Sequence, residues 1–133
     1  MRWFSNKVPP RDIWEEPVPV PLGDIDAAER IRTICRSATD SAERVGGIAP
    51  TGDKRSPPKQ RETESARYQR AAKAAMEIAM KVSDELMRDA AVREIVGLCL
   101  TARDMKTARI LFRAIQSPSI RDGVLREHPE LVA

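Results

Sequence analysis

Residues 65–116 decide the fold class, and they read SARYQRAAKAAMEIAMKVSDELMRDAAVREIVGLCLTARDMKTARILFRAIQ. The stretch contains no proline and a single glycine, and it is rich in the alanine, leucine, methionine and charged residues that favour helices. Its first part places apolar side chains three and four residues apart, along one stripe of a helix. The stripe consists of Tyr68, Ala71, Ala75, Ile78, Ala79 and Val82, widened by Ala72, Met76 and Met80. A helix this broadly apolar packs on two sides, which predicts an all-α bundle with this helix at its centre.

The same stretch begins an internal repeat with an offset of 33 residues. Residues 87–95 read MRDAAVREI and residues 120–128 read IRDGVLREH, with charges that match in type. The offset also pairs apolar positions with apolar positions, namely Ala75 with Ala108, Ile78 with Leu111 and Val82 with Ile115. Because arginine–carboxylate pairs are common on solvated helix faces, a chance match is the alternative to a true repeat.

If the repeat is real, it divides the long apolar stretch into separate helices. Ser117 and Pro118 form a helix start in the second copy, because serine caps free N–H groups and proline suits the first helical position. The corresponding point in the first copy is Asp84, and Asp104 offers a third cap. The predicted helices cover residues 63–83, 85–102, 105–116 and 118–128.

A period near 33 residues built from two helices resembles the tetratricopeptide class of helical-hairpin repeats, over about residues 73–128. Gly97 resembles the small residue of that motif's first helix, where the second helix packs closely. Ala108, Phe112 and Pro118 resemble its alanine, its aromatic residue four positions later and its closing proline. The resemblance implies protein or peptide binding and identifies no ligand. A true solenoid and a small bundle with one repeat-like hairpin are both compatible with it, because solenoids need about three units.

Upstream of residue 63, composition divides the chain into three segments. Residues 1–23 form an arm whose PVPVP sequence favours an extended backbone. Residues 24–45 are the first helix, with Asp24 or Asp26 as its N-cap and glycines at its end. The third segment is a basic linker rich in glycine and proline at 46–62. The repeat-like domain follows at 63–133. The predicted fold is an all-α bundle of four to five helices, preceded by an extended Pro-rich arm.

Two groups of side chains are candidates for partner binding. The arm holds three of the five aromatic residues, Trp3, Phe4 and Trp14. Large rings are costly to leave in water, so they either pack on the chain's own helices or dock on a partner subunit. Met76 and Met80 are the second group, since methionine surfaces repack around varied partners. Core filling is the simpler interpretation of these methionines.

The net charge of +3 is concentrated in one region. Residues 54–73 hold seven basic and two acidic residues, a local charge of +5, so the rest of the chain sums to −2. The basic residues are Lys54, Arg55, Lys59, Arg61, Arg67, Arg70 and Lys73. A solvated linker, a site for an acidic protein and a site for nucleic acid are the three interpretations. Phosphate binding by such a patch would be salt-sensitive and independent of base sequence.

The sequence contains no recognisable catalytic, cofactor or metal motif. Its single histidine, His128, lies at the predicted end of the last helix, and its two cysteines, Cys35 and Cys99, are far apart in apolar stretches. We therefore expect a non-enzymatic protein without cofactors that binds another protein or its own copies, with nucleic acid as the less favoured partner. MRWFSNKVPP at the start has no apolar signal region, and IVGLCLTA is too short to span a membrane. These features predict a cytoplasmic protein with no membrane contact.

Overall fold

The computed structural model describes residues 12–15, 22–47 and 58–132, the side chains of 58–61 excepted. Within these residues the chain forms five α-helices, two short 3-10 helices and no strand. The α-helices are α1 (Asp24–Val45), α2 (Pro58–Ala79), α3 (Glu85–Thr101), α4 (Met105–Ala114) and α5 (Pro118–Glu127). The 3-10 helices are Ile13–Glu15 and Pro129–Val132. The predicted all-α bundle is confirmed, while most of the predicted arm lies outside the described residues.

Two antiparallel hairpins and a final helix make up the bundle. In the first hairpin, Ser41 near the end of α1 contacts Glu64 near the start of α2, and Asp24 at the start of α1 contacts Ser83 beyond the end of α2. Helices α3 and α4 form the second hairpin, and α5 packs on α3. The largest fully buried side chains are Ile31, Ile34, Ile95, Val96, Cys99, Ile115 and Val124. Helix α3 contacts all four other helices, so α3, and not the predicted α2, lies at the centre.

Three predicted helix starts are confirmed by their caps. The Asp84 carboxylate accepts a hydrogen bond from the Met87 N–H at 2.9 Å and begins α3. Asp104 caps α4 in the same way, and the Ser117 hydroxyl caps α5, where Pro118 takes the first helical position. Each capping side chain accepts a hydrogen bond from an N–H group that has no partner inside its helix. A capping residue in the sequence therefore predicts where a helix starts.

The start of α1 differs from the prediction. Its N-cap is Gly23, which makes no side-chain hydrogen bond, so neither Asp24 nor Asp26 caps the helix. Asp24 instead accepts hydrogen bonds from the backbone N–H groups of Ser83 and Asp84, both at 2.9 Å. Its carboxylate is thus committed to the turn between α2 and α3, which local sequence does not reveal.

Helix α2 begins and ends earlier than predicted. It starts at Pro58 and ends at Ala79, whereas the pattern predicts 63–83. Proline suits the first turn of a helix because the N–H it lacks has no helical partner there. The last residues of the predicted linker, 58–62, are therefore helical, and residues 80–84 form the turn that leads to α3.

The two turns related by the 33-residue offset are held by equivalent contacts. Asp24 binds the N–H groups of residues 83 and 84, and Asp89 binds those of Gln116 and Ser117, at 3.1 and 2.8 Å. In both cases a carboxylate from the first helix of a hairpin holds the turn that follows the hairpin's second helix. The offset therefore relates turn geometry as well as residue types.

Two glycines differ in how closely other groups approach them. A Cβ added at Gly97 would meet no described atom within 4 Å, so the close packing expected there is not observed. A Cβ added at Gly46 would collide with the carbonyl oxygen of Thr101. Close backbone approach thus occurs where the ends of α1 and α3 meet, and glycine is required at that point.

We expect the substitution Ala108→Leu to lower the free energy of unfolding by about 1–3 kcal/mol. Ala108 is fully buried on the inner face of α4, so three additional carbon atoms would force neighbouring side chains from their rotamers. Chemical denaturation of the variant and parent measures the difference. Ala114→Leu, at the exposed end of the same helix, is the control and should change stability little. Equal stability of the Ala108→Leu variant and the parent would contradict close packing at α4.

Candidate protein-interaction surface

Trp14 is the aromatic residue of the arm that the structure describes. It lies in the 3-10 helix Ile13–Glu15, which contacts α1 and α2, and only 8% of its surface is exposed. The guanidinium carbon of Arg67 lies 5.2 Å from the centre of the Trp14 ring, in a cation–π arrangement. Trp14 therefore packs on the chain's own bundle, and its ring is not available to a partner.

Arg67 joins the 3-10 helix to both helices of the first hairpin. Its guanidinium pairs with the Asp12 carboxylate at 3.0 Å, and its Nε donates a hydrogen bond to the hydroxyl of Ser41 at 3.1 Å. The buried Ser41 hydroxyl in turn donates to Glu64 at 2.6 Å, and Glu64 lies 3.9 Å from Arg67. This network fixes the position at which the chain enters the bundle.

The predicted basic patch at 54–73 is partly neutralised by this chain's own carboxylates. Arg67 pairs with Asp12, and Arg70 lies 3.8 Å from Glu15. Lys73 is exposed on α2. The other four basic side chains, and the aromatic pair Trp3 and Phe4, lie outside the described residues; the four are Lys54, Arg55, Lys59 and Arg61. The local sum of +5 therefore overstates the positive charge that the described part of this patch presents.

An apolar surface lies at the end of the bundle where α1 begins. A shallow depression there is lined by Leu22, Gly23, Asp24, Ile25, Asp26, Ser83 and Met87. Ile25 in its wall is 69% exposed, and Met80 and Leu86, in the chain segments on either side of Ser83, are 67% and 60% exposed. We call the five apolar side chains the end patch: Leu22, Ile25, Met80, Leu86 and Met87. Of the two predicted methionines, Met80 belongs to this surface, while Met76 is half-buried against the core.

The end patch has a rim of net negative charge. Four carboxylates line or adjoin it, those of Asp24, Asp26, Asp84 and Glu85, against two cations, Lys81 and Arg88. The N–H groups of Ser83 and then Asp84 hold the pKa of Asp24 below its ordinary value, so this carboxylate is ionised at neutral pH. The surface therefore suits a partner that is apolar at its centre and basic at its edges.

A basic face on α4 was not predicted from the sequence. Its exposed cations are Lys106 and Arg113 on α4 and Arg103 in the turn before the helix, with the exposed Ile110 between Lys106 and Arg113 in sequence. Helix α4 itself contains no acidic residue. None of the three cations makes an ion pair with another described residue. Helical periodicity applied to residues 106–113 would have placed Lys106, Ile110 and Arg113 on one side of α4.

The two cysteines are free thiols inside the core. Burial raises the pKa of Cys35 to about 12 and that of Cys99 to about 11. Beside them, the Tyr68 hydroxyl donates a hydrogen bond to Asp104 at 2.8 Å, and burial raises the pKa of Tyr68 as well. Both thiols are protonated at neutral pH, and because the thiolate is the reactive form, they act as small apolar core residues.

Metal-ion sites and membrane-spanning helices are both absent from the described part of the chain. No group of three His, Cys, Asp or Glu side chains is placed there to hold a metal ion. None of its helices combines the length and apolar character that crossing a bilayer requires. No family model, curated protein or solved structure matches the chain. Function is therefore inferred from the geometry of the end patch and the α4 face.

Proposed function

We propose that this protein is a non-catalytic protein-interaction module, an adaptor or small subunit of a larger assembly, and that it binds its partner through the end patch. One observation carries the proposal. Ile25 lines a depression at one end of the bundle, and Met80 and Leu86 are each three residues from Ser83 in the same lining. All three side chains are more than half exposed. Grouped exposure of this kind on a small protein marks an interaction site, whereas isolated exposed apolar residues do not.

The energetics of the patch fit an interaction anchor. Burying one large apolar side chain contributes roughly 1.5–3 kcal/mol, so three of them form a centre of the kind that dominates binding energy. Met80 adds adaptability, because a flexible thioether side chain fits partners of different shape. The charged rim adds orientation and steering more than affinity.

Further features support the proposal without identifying the partner. The resemblance of residues 73–128 to tetratricopeptide repeats favours peptide or protein binding, since stacked helical hairpins present extended binding surfaces. The protonated, buried thiols favour a non-catalytic role and are typical of a reducing compartment such as the cytoplasm. Another protein and a second copy of this chain are both partners that the patch would accept.

We expect the double substitution Ile25→Asp/Leu86→Asp to abolish partner capture. Both side chains are exposed, so the substitutions add charge to the patch with little effect on folding. Affinity purification from cells, with mass spectrometry of the captured proteins, compares the variant with the parent, and circular dichroism checks the fold. Val132→Asp is the control, because it places the same charge on an exposed apolar side chain outside both the end patch and the α4 face. A variant that folds and captures the same proteins as the parent would refute the role of the end patch.

Nucleic-acid binding is the second candidate function, and in the described part of the chain the α4 face supports it. The supporting observation is the set of three exposed cations without ion-pair partners in the described chain, Arg103, Lys106 and Arg113. Such a face would bind phosphates with an affinity that falls steeply as salt rises. Substituting the three with alanine should reduce both affinity and salt dependence, and no mobility shift of the parent with DNA or RNA at low salt would exclude this function.

A further inference from the structure

We propose that residues 1–11 of this chain cover the end patch of the same molecule, with Trp3 and Phe4 on its apolar centre. The inference rests on the proposed function, because both concern the end patch. It adds that a segment of the same chain occupies this surface before a partner binds. A partner would then have to displace the chain's own segment in order to bind.

The composition of the segment complements the surface. Residues 1–11 read MRWFSNKVPPR, which places two aromatic side chains among three basic residues and includes no acidic residue. The end patch has the opposite arrangement, with apolar side chains inside a rim of four carboxylates and two cations. Aromatic burial would supply the free energy of docking, and the opposite charges would set its location.

The segment 1–11 is long enough to reach the end patch from Asp12, the first described residue. Asp12 is fixed on Arg67 by the 3.0 Å ion pair, and the neighbouring Trp14 is packed on the bundle. Met80 immediately follows the end of α2 and is thirteen residues beyond Arg67, a distance of about 20 Å at helical rise. The nine residue steps from Trp3 to Asp12 span up to about 30 Å when extended. The proline pair at positions 9 and 10 favours such an extended backbone.

The anchor also favours docking within one molecule over docking on a second copy. Because Asp12 and Trp14 hold the adjoining chain on the bundle, the segment is present near its own patch at the high effective concentration of a short tether, in the millimolar range. A weak contact is then enough to keep the patch covered.

Cysteine labelling in the full-length chain tests the proposal. Met80→Cys places a thiol in the patch, and its rate of reaction with a maleimide is measured with and without Trp3→Ala/Phe4→Ala. The native thiols give little background at neutral pH, because both are buried and have pKa values of about 12 and 11. If the segment covers the patch for most of the time, its removal should raise the rate roughly fivefold or more. Ile110→Cys on α4 is the control, and its rate should not respond to the aromatic substitutions.

The outcomes separate this proposal from the proposed function. Equal labelling rates of Met80→Cys with and without Trp3 and Phe4 would contradict the proposal. Protection from labelling that disappears on dilution would also contradict it, because the patch would then be covered by a second copy of the chain. The proposal is supported if Trp3→Ala/Phe4→Ala raises the labelling rate of Met80→Cys and Arg2→Glu/Lys7→Glu raises it as well. The labelling rate of Ile110→Cys should stay unchanged in both cases. Partner capture through Ile25 and Leu86 is measured separately, so either result stands when the other fails.

Discussion

We expect the substitution Trp14→Ala to lower the free energy of unfolding by about 3–5 kcal/mol, a large share of the stability of a domain of this size. Trp14 is 8% exposed and joins the 3-10 helix Ile13–Glu15 to α1 and α2. Its loss would leave a cavity between these elements and remove the cation–π contact with Arg67. Urea denaturation followed by circular dichroism measures the effect, because the variant also loses a tryptophan and fluorescence would not be comparable.

The matched control is Trp14→Phe. Among the described residues the buried indole Nε1 has no hydrogen-bond partner, so phenylalanine removes no hydrogen bond seen there and retains most of the apolar contact. It should cost about 1–2 kcal/mol, clearly less than alanine. If Trp14→Ala unfolds at the same urea concentration as the parent, the 3-10 helix contributes nothing to the core, and the anchor assumed for residues 1–11 is wrong as well.

The sequence predicts the starts of α3, α4 and α5 correctly because each start depends on a neighbouring residue. Asp84, Asp104 and Ser117 each cap an N–H group three residues ahead, so the signal and its effect lie together in sequence. Asp24 shows the limit of that reasoning. It has the side chain and position of a cap, yet its carboxylate binds the turn at residues 83 and 84, about sixty residues away. Only the packing of α1 against α2 brings the two together.

A charge sum over a sequence window also misses contacts between residues that are far apart in the chain. Summing charge over residues 54–73 makes Arg67 and Arg70 part of a basic patch, but their carboxylate partners, Asp12 and Glu15, lie more than fifty residues earlier. The apolar stripe predicts the side of the helix on which a side chain lies. It does not predict how far along the helix the packed neighbouring helices reach. It therefore places Met76 and Met80 together, although the structure half-buries the first and exposes the second.

The other large effect is expected at Asp89, where Asp89→Ala should lower the free energy of unfolding by about 2–4 kcal/mol. Asp89 is 3% exposed on α3, and its carboxylate accepts hydrogen bonds from the N–H groups of Gln116 and Ser117 at 3.1 and 2.8 Å. Alanine would leave both donors without an acceptor at the turn that positions α5. Since hydrogen bonds to a charged group contribute more than neutral ones, the loss should exceed that of an ordinary cap. Thermal and urea denaturation both measure it.

Asp122→Ala is the control that the internal repeat provides. Asp122 lies 33 residues after Asp89, in the same RD sequence on α5, but its side chain is exposed, so its removal should change stability by no more than about 0.5 kcal/mol. Asp89→Asn should give an intermediate loss, because the amide oxygen still accepts a hydrogen bond but carries no charge. Equal effects at Asp89 and Asp122 would mean that the carboxylate does not hold the turn. A large effect at Asp89 alone would show that one of the two matching aspartates has become a structural link between α3 and α5, while the other faces solvent.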